Sequence, residues 1–573
     1  MINKYFNQIK NIKVEILLAI IANFRYLYFC LMNGWIDWTY PKENGLGMDE
    51  LLVYFPRSAN FSFPLRLDSL SSTLENNLNP STNAPFIGEF LMSPFFELNL
   101  TTLNITILFL RIILCTFIFV ILINSKEIIC KTKLTNLQKI LTLSLIIFTF
   151  YIVNISNIEQ LLNLNFRFIF LSLLQDNFLT RFHNYIISYP FLLLTLNALL
   201  RISNHNKNNN LFIFLISLLI SFTLFLNIYL YTSLISLIFL FLIFNFKFFK
   251  SYKKLIIFLV PNLFAFLYYL INAYALSQSS KNVLFYSRYG LTDFSLNIKS
   301  IIFIAITLFI IKILFERNFL FSDSLKKIYL FLPLSALLSC SGFLIFSAIL
   351  GKTIQPFQYK TLFIIFSGTS LSLIDFRSLF NKKILKSISV LFITLLICIE
   401  FGAYKQLDSK ISLESNLTVF VNMLKKEINS DDIFLSYFYD APSWSTRLRI
   451  KSYTSFSPFS NKEDDLMIKQ AAISSYFVNG KNENKLSESN KLDIYLNHLK
   501  LNTNIKQDYR KFNESIQNNI GFCGQIKSVD LFILNKDNQS DSIDKLKACN
   551  YVVKKLVSND AYSAIFIDHE KNK

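Results

Sequence analysis

The chain has few of the residues from which metal, nucleotide and redox sites are usually built. Only four histidines occur, at His183, His205, His498 and His569, and the seven cysteines form no Cys-x-x-Cys pair. This pattern disfavours a structural zinc site. Neither Gly-x-Gly-x-x-Gly nor Gly-x-x-x-x-Gly-Lys-Ser/Thr occurs among the 12 glycines, which excludes the two common glycine-rich phosphate loops.

Acidic residues are also scarce, with 38 Asp and Glu against 57 Lys and Arg and a net charge of +19. A basic excess of this size can indicate nucleic-acid binding. Here, however, most Lys and Arg residues lie in short gaps between long apolar segments, from Val14 to about Tyr404, in a chain that is 53% hydrophobic. In such gaps they orient helices and meet anionic lipid headgroups. We therefore predict no nucleic-acid partner and a protein embedded in a lipid bilayer.

The Lys/Arg clusters occupy every second gap, and this alternation predicts about eleven transmembrane helices with a cytoplasmic N-terminus. The run 211–246 is too long for one crossing, so it is divided at the polar stretch Asn227 to Ser233. The predicted spans are 14–32, 103–124, 140–154, 185–200, two within 211–246, 255–275, 301–315, 328–350, one ending before Arg377, and 388–404.

This layout predicts a mainly α polytopic membrane protein with two parts. Residues 1–404 form the transmembrane domain, which includes a large first extracytoplasmic loop at 33–102, and residues 405–573 form an extracytoplasmic α/β domain. Arg25 and Arg111 lie inside predicted spans, so each needs a partner or a wet cavity.

In residues 405–573, called the tail below, the apolar residues predict helices at 417–428, 462–477 and 490–499 and strands at 432–437, 529–534 and 564–568. Its two cysteines, Cys523 and Cys549, would pair in an oxidising compartment and close a loop contributing about 3 kcal/mol. The sequence favours neither this pairing nor two free thiols.

The first loop is acidic, and the adjacent carboxylates Asp49 and Glu50 follow the first span, with Arg57 about two helical turns beyond them. A carboxylate there could act as general base toward an acceptor hydroxyl, or could hold a divalent cation, Mg²⁺ or Mn²⁺, against a phosphate leaving group. The alternative is that these acids only follow the charge trend of outer loops and cap a helix. For Asp49 both interpretations stay open.

Positive groups at the outer ends of spans break the inside-positive pattern. Arg181 and His183 precede the fourth span, and Lys352, Gln358 and Lys360 lie in the short loop before the tenth. Arginine offers a planar fork for phosphate oxygens and lysine a point charge. The alternative interpretation is that these side chains only anchor helix ends by snorkelling to the interface.

One span, a long acidic loop with an early Asp49-Glu50 pair, a ladder of spans and an α/β tail together resemble the GT-C class of polytopic membrane glycosyltransferases. The resemblance implies transfer of a hexosyl or pentosyl group from a polyprenyl-phosphate carrier to a glycan, lipid or protein acceptor outside the cytoplasm. It implies an integral protein of a bacterial inner membrane. No cofactor is required by it, and a divalent cation held by Asp49 stays an option.

The resemblance assigns reaction-centre roles to Asp49 and Glu50, with Asp37 as a second candidate, and phosphate-binding roles to the basic and polar residues Arg57, Arg181, His183, Lys352, Gln358 and Lys360. The string before Asp49 lacks the His-Pro found in one branch of the class, which leaves the sugar and acceptor undefined. The alternatives are a lipid or glycan transporter or flippase, and a non-catalytic protein of cell-envelope biogenesis. Transporters usually show repeated halves, and no internal repeat is found.

Overall fold

The structure is a computed structural model. It describes residues 12–32, 91, 94–95, 98, 100–153, 187–204, 210–244, 252–279, 291–293, 295–316, 324–350, 352–354, 358–375, 381–408, 411–437, 441–448, 450–454, 464–478 and 520–568.

Within these residues, helices occupy every predicted span, because each span is a long apolar run of good helix formers. The helices of residues 12–408 are α1 Lys13–Ala22, α2 Phe24–Met32, α3 Leu100–Cys130, α4 Asn136–Ile152, α5 Ile187–Asn204, α6 Asn210–Leu224, α7 Ile228–Phe244, α8 Tyr252–Ser279, α9 Ile298–Glu316, α10 Ser324–Leu350, α11 Gln358–Leu373 and α12 Lys382–Asp408. The mainly α class is confirmed.

Three segments of the described helices are long and apolar enough to cross a bilayer: Ile105–Cys130, Leu330–Ile349 and Lys383–Gly402. Five shorter apolar helices accompany them. Large apolar side chains such as Phe264 and Ile349 are exposed on the bundle surface, as expected where lipid is the solvent. The chain is an integral membrane protein, and the count of eleven crossings stays a prediction.

The break between α6 and α7 lies earlier than predicted. Residues 228–233, assigned to a polar break, are the first turns of α7. The side-chain oxygen of Asn227 accepts the amide N–H of Tyr229 at 3.0 Å and of Leu230 at 3.1 Å. Because this cap satisfies the first amides of α7, the polar residues after Asn227 can stay helical.

Contacts between helices agree with a bundle in which successive spans cross the membrane in opposite directions. At the predicted cytoplasmic end, Nζ of Lys126 donates to Oγ1 of Thr142 at 2.7 Å and to the carbonyl of Ser372 at 2.8 Å, which joins α3, α4 and α11. There too, Lys139 of α4 pairs with Glu15 of α1. Lys126 was predicted to lie in a cytoplasmic gap, but it is a buried residue of α3. These contacts join predicted cytoplasmic ends only with one another.

In the described part of the tail, five strands form a mixed sheet: β3 Ile433–Ser436, β4 Lys451–Ser452, β5 Leu531–Asn535, β6 Val552–Ser558 and β7 Tyr562–Asp568. Their order in the sheet is β4-β3-β5-β7-β6. β3 is parallel to β4 and β5, and β7 is antiparallel to β5 and β6. The α-helices of the described tail are α13 Ile411–Leu424, α14 Ala441–Leu448, α15 Asp464–Val478 and α16 Gln539–Ala548.

Helices cover both faces of this sheet, because its strands alternate buried side chains between two cores. Phe434 and Ile533 pack with Trp444 on the side of α13 and α14. Leu435 and Phe532 pack with Phe477 on the side of α15 and α16. The strands β3, β5 and β7 and the helices α13 and α15 lie where the sequence patterns predicted them, whereas the predicted helix 490–499 lies outside the described residues.

The carboxyl edge of β3 and β5, where open α/β sheets often bind ligands, is covered by the last turn of α15. The hydroxyl of Ser474 donates to the carbonyl of Ser436. Three further side chains cap the end of α15. Asn538 donates to the Val478 carbonyl at 3.0 Å, Ser542 to the Phe477 carbonyl at 2.6 Å and Lys545 to the Tyr476 carbonyl at 2.7 Å. This edge is therefore a packing contact, which agrees with the lack of a nucleotide-binding loop in the sequence.

A disulfide joins Cys523, in the 3₁₀ helix Ile520–Ile526, to Cys549 at the end of α16, with Cα atoms 5.4 Å apart. The hydroxyl of Tyr551 donates to the Cys523 carbonyl at 2.8 Å, beside the bond. The structure thus holds the pairing that the sequence left open.

Candidate functional site

Most of the predicted site residues lie outside the part of the chain that the structure describes. These are Asp37, Asp49, Glu50, Arg57, Arg181 and His183. Their assignments stay predictions. The remaining three candidates, Lys352, Gln358 and Lys360, are placed on secondary structure at one end of the bundle.

A short antiparallel ribbon organises that end. The strands β1 Leu291–Asp293 and β2 Lys352–Ile354 pair so that Asp293 is the Cα partner of Lys352. β1 precedes α9 and β2 follows α10, so the ribbon closes this helical hairpin at its predicted outer end. It also draws two loops that are far apart in sequence to one place, next to the start of α11.

The first turn of α11 is anchored by a chain of hydroxyls. The hydroxyls of Tyr359 and Thr232 are 2.9 Å apart, and Ser339 donates to Thr232 at 2.8 Å. The rings of Tyr229 and Phe343 lie 5.2 Å and 5.4 Å from that of Tyr359, centroid to centroid. Three helices, α7, α10 and α11, are joined by these contacts, so the backbone beside Gln358 and Lys360 is held in place.

This end of the bundle can attract an anion. α11 begins at Gln358, and the amides of a helix N-terminus favour negative charge. Lys352 and Lys360 add two positive charges within the same short stretch of backbone. Asp293, the Cα partner of Lys352 in the ribbon, adds one negative charge to the same end of the bundle.

A second polar group lies buried between helices, and only its arginine was predicted from the sequence. Arg25 of α2 forms an ion pair with Glu400 of α12, Nη2 to Oε1 at 2.9 Å, and both side chains are 0% exposed. The hydroxyl of Tyr151, in α4, also donates to Oε1 of Glu400. The prediction that Arg25 needs a partner is confirmed, but Glu400 itself was missed. A carboxylate inside the apolar run 388–404 was the signal for it.

Arg111 of α3, the other arginine inside a span, is also enclosed by protein. Its guanidinium carbon lies 4.9 Å from the centroid of the Tyr26 ring, a cation–π distance. One turn further along α3, the thiol of Cys115 accepts a 3.7 Å hydrogen bond from the Asn23 amide. The segment around the start of α2 is therefore lined with polar contacts to its neighbours.

Within the described residues, no group of three or more His, Cys, Asp or Glu side chains is arranged to hold a metal ion. The predicted metal ligand, Asp49, lies outside them.

No protein-family profile and no curated protein matches the chain. Among solved structures, it is similar to ArnT from Cupriavidus metallidurans bound to undecaprenyl phosphate, at 9% identity over 97% of this chain and 98% of that one, with a TM-score of 0.41. It is also similar to the oligosaccharyltransferase of Archaeoglobus fulgidus tethered with an acceptor peptide, at 11% identity over 99% of this chain and 74% of that one, with a TM-score of 0.35. Similarity at this level assigns no role to any residue, so a role for a side chain has to follow from its contacts within this chain.

Proposed function

We propose that the chain is a membrane glycosyltransferase of GT-C type that transfers a sugar from a polyprenyl-phosphate carrier to an acceptor outside the cytoplasm. The proposed location is a bacterial inner membrane, with the first loop and the tail both extracytoplasmic. The proposed donor class is a lipid phosphate, like the undecaprenyl phosphate bound in the Cupriavidus structure.

The observation that supports the proposal best is the ribbon of β1 and β2. It fixes the backbone at Lys352 a few residues before α11, whose first turn carries Gln358 and Lys360, at the predicted outer end of the bundle. The helix α9, which follows β1 directly, exposes apolar side chains as a lipid-facing helix does. A carrier lipid needs this combination, with an apolar surface for its chain and positive groups at the interface for its phosphate.

In the proposed reaction, an acceptor hydroxyl attacks the anomeric carbon of the donor. The new glycosidic bond forms as the bond between that carbon and the phosphate oxygen breaks, and the electron pair leaves with the polyprenyl phosphate. Asp49 or Asp37 takes the proton of the attacking hydroxyl as general base. Lys352 and Lys360 stabilise the charge that develops on the phosphate. No step of this scheme passes through a metal ion.

The test is a transfer assay with the full-length protein in lipid nanodiscs and a panel of radiolabelled polyprenyl-phosphate sugars. We expect D49N or D37N to lower kcat by about a hundredfold, the usual contribution of general base catalysis. K352A/K360A should raise the KM for the donor by about tenfold, because it removes both positive charges proposed to bind the donor phosphate. A tenfold change corresponds to about 1.4 kcal/mol of binding free energy. The matched control is K383A, an exposed lysine at the opposite end of the bundle, which should change neither value.

Transfer that survives both D49N and D37N in folded protein would exclude the assigned general base. A second assay addresses the transporter alternative with the same labelled lipids in proteoliposomes. Movement of the lipid between leaflets without any sugar transfer would overturn the proposed function. Transfer that stops with EDTA and returns with Mg²⁺ or Mn²⁺ would add a cation to the scheme.

A further inference from the structure

We infer that Glu400 is a positioning residue that clamps the outer segment of the first span, α2, to the last span, α12. In this way it fixes the point where the acidic first loop begins relative to the helix that leads into the tail. Only the catalytic consequence of the clamp rests on the proposed function.

The first span is not one continuous helix. α1 ends at Ala22, Asn23 has φ −113° and ψ 14°, and α2 begins at Phe24. The backbone N–H of Asn23 donates to the carbonyl of Ile20, only three residues back, at 3.1 Å. A break of this kind gives α2 an N-terminus of its own, whose first amides need acceptors from elsewhere. In lipid those acceptors must come from the protein.

Glu400 supplies such an acceptor from a different helix. Its Oε2 accepts the backbone N–H of Arg25 at 3.1 Å and the Nε–H of the same residue at 3.0 Å. Its Oε1 accepts Nη2 of Arg25 at 2.9 Å and the hydroxyl of Tyr151. One carboxylate thus caps the N-terminus of α2 and balances the charge of its arginine, and both interactions fix α2 in the same orientation.

Stability alone does not account for this arrangement. Burying two charges costs several kcal/mol per ion, and apolar pairs of similar volume in the same place are often as stable or more so. Three directional bonds from Arg25 to one carboxylate specify instead a single register of α2 on α12. An apolar pair would allow the short helix to slide or rotate.

The clamp lies near the point where both segments leave the bundle. Met32, the last residue of α2, is about two helical turns beyond Arg25, and the first loop with Asp37 and Asp49 follows it. Asp408, the last residue of α12, is about two turns beyond Glu400, and α13 of the tail begins three residues later. A rotation of α2 would therefore move the start of the loop relative to the tail.

The experiment measures a distance, so it does not depend on knowing the substrate. Nitroxide labels are placed on Leu31 of α2 and Val419 of α13, which are 60% and 54% exposed, and pulsed EPR gives their distance distribution in nanodiscs. The cysteines Cys30, Cys130, Cys340 and Cys398 are first replaced by serine. We expect one narrow distribution in this background.

In R25M/E400L we expect a broader or shifted distribution in the folded protein. The midpoint of thermal unfolding should fall, because the backbone N–H of residue 25 and the hydroxyl of Tyr151 both lose their acceptor. The matched control is Y151F. It removes the hydroxyl that donates to Glu400 and accepts Nη2 of Arg25 at 3.3 Å, but it leaves the three bonds from Arg25 to Glu400, so its distribution should stay narrow. An unchanged narrow distribution in R25M/E400L would overturn the inference.

E400Q keeps the size of the side chain and replaces an acceptor oxygen by a donor amide. Where the apolar pair does not fold, E400Q is the test variant, and an unchanged distribution in E400Q overturns the inference.

The transfer assay separates this inference from the proposed function. If wild type transfers sugar, we expect R25M/E400L to lose at least about tenfold in kcat, because small displacements of reacting groups are costly, with little change in the KM for the donor. If wild type transfers no sugar but the distribution still broadens in R25M/E400L, the clamp stands and the proposed function fails.

Discussion

Gly368 of α11 and Thr149 of α4 lie so close together that a Cβ atom on Gly368 would be 2.1 Å from Oγ1 of Thr149. Just beyond this contact, the hydroxyls of Thr369 and Tyr189 lie 2.7 Å apart and tie α11 to α5. Small residues allow such close approach of helices in membranes, where packing rather than the hydrophobic effect drives association.

Gly368→Ala should therefore destabilise the protein by about 1 to 3 kcal/mol, the usual cost of an overpacked core, because α4 and α11 must separate to admit the methyl group. The measurement is thermal unfolding in detergent. The matched control is Gly342→Ala in α10, where nothing lies within 4 Å of the added Cβ, and it should be neutral or slightly stabilising. G368A/T149G removes the three closest atoms and should recover part of the loss. Equal stability of G368A and G342A would contradict this account of the contact.

The ion pair of Glu15 and Lys139 at the predicted cytoplasmic end makes a second prediction. Nζ of Lys139 lies 2.7 Å from Oε1 of Glu15. Glu15 is 1% exposed, and its Oε2 has no hydrogen-bond partner within the described structure. Lys139→Met leaves a buried carboxylate without its counter-ion, so it should cost about 3 kcal/mol. E15M/K139M removes both charges and should cost less than K139M alone.

A double-mutant cycle of unfolding free energies measures this coupling. K139M, E15M and the double variant are compared with wild type in the same detergent. Additive effects of the two single substitutions would show that the pair contributes nothing as a pair.

The sequence located the spans well because bilayer-crossing helices are set by long apolar runs, a local property. It did not reveal the break at Asn23. It also did not reveal the partner of Arg25, because Glu400 belongs to α12, which is remote in sequence. In the tail, strands buried on both faces were found from apolar runs. The edge strand β6 was missed because Lys554 and Lys555 interrupt its pattern, as charges on edge strands often do.

The candidate site was predictable only as a list of residue types at outer ends. The ribbon in which Lys352 is the Cα partner of Asp293 could not be predicted. Its strands are three residues long, which is too short to show an alternating pattern. The hydroxyl chain from Tyr359 to Ser339 was hidden for a related reason. Serine and threonine are common in membrane helices, and only the packing of α7, α10 and α11 selects which of them meet.

The disulfide of Cys523 and Cys549 gives a third prediction. Their sequence separation of 26 residues corresponds to a loss of loop entropy in the unfolded chain that stabilises the fold by about 3 kcal/mol. C523S/C549S should lower the free energy of unfolding of the tail by roughly this amount. Reducing agent should destabilise wild type in the same way and leave C523S/C549S unchanged. A wild type that does not respond to reduction would show that the bond is not formed in the protein.

The same cysteines report the sidedness on which the proposed function depends. In intact cells, a membrane-impermeant reductant followed by an impermeant maleimide should label Cys523 and Cys549. Cys130, at the predicted cytoplasmic end of α3, should be labelled only after the membrane is permeabilised. Labelling of Cys130 and the tail cysteines from the same side would exclude an odd number of crossings between them, which the predicted spans 140–154 to 388–404 require.

Tyr453, enclosed in the core of the tail, gives the tail a stability that depends on alkaline pH. Burial raises the pKa of the Tyr453 hydroxyl, and the nearby Tyr551 raises it further. In the unfolded chain a tyrosine releases its proton at a pKa of about 10, whereas the native state holds it longer, so above that pH the unfolded state binds fewer protons. The contribution of Tyr453 to the free energy of unfolding should therefore be constant below pH of about 9 and fall above about 10, by up to about 1.4 kcal/mol per pH unit. The fluorescence of Trp444 in a W35F/W38F background follows denaturant unfolding of the tail at each pH. Y453F should show a shallower fall than its parent, and equal slopes for the two proteins would mean that this hydroxyl titrates normally.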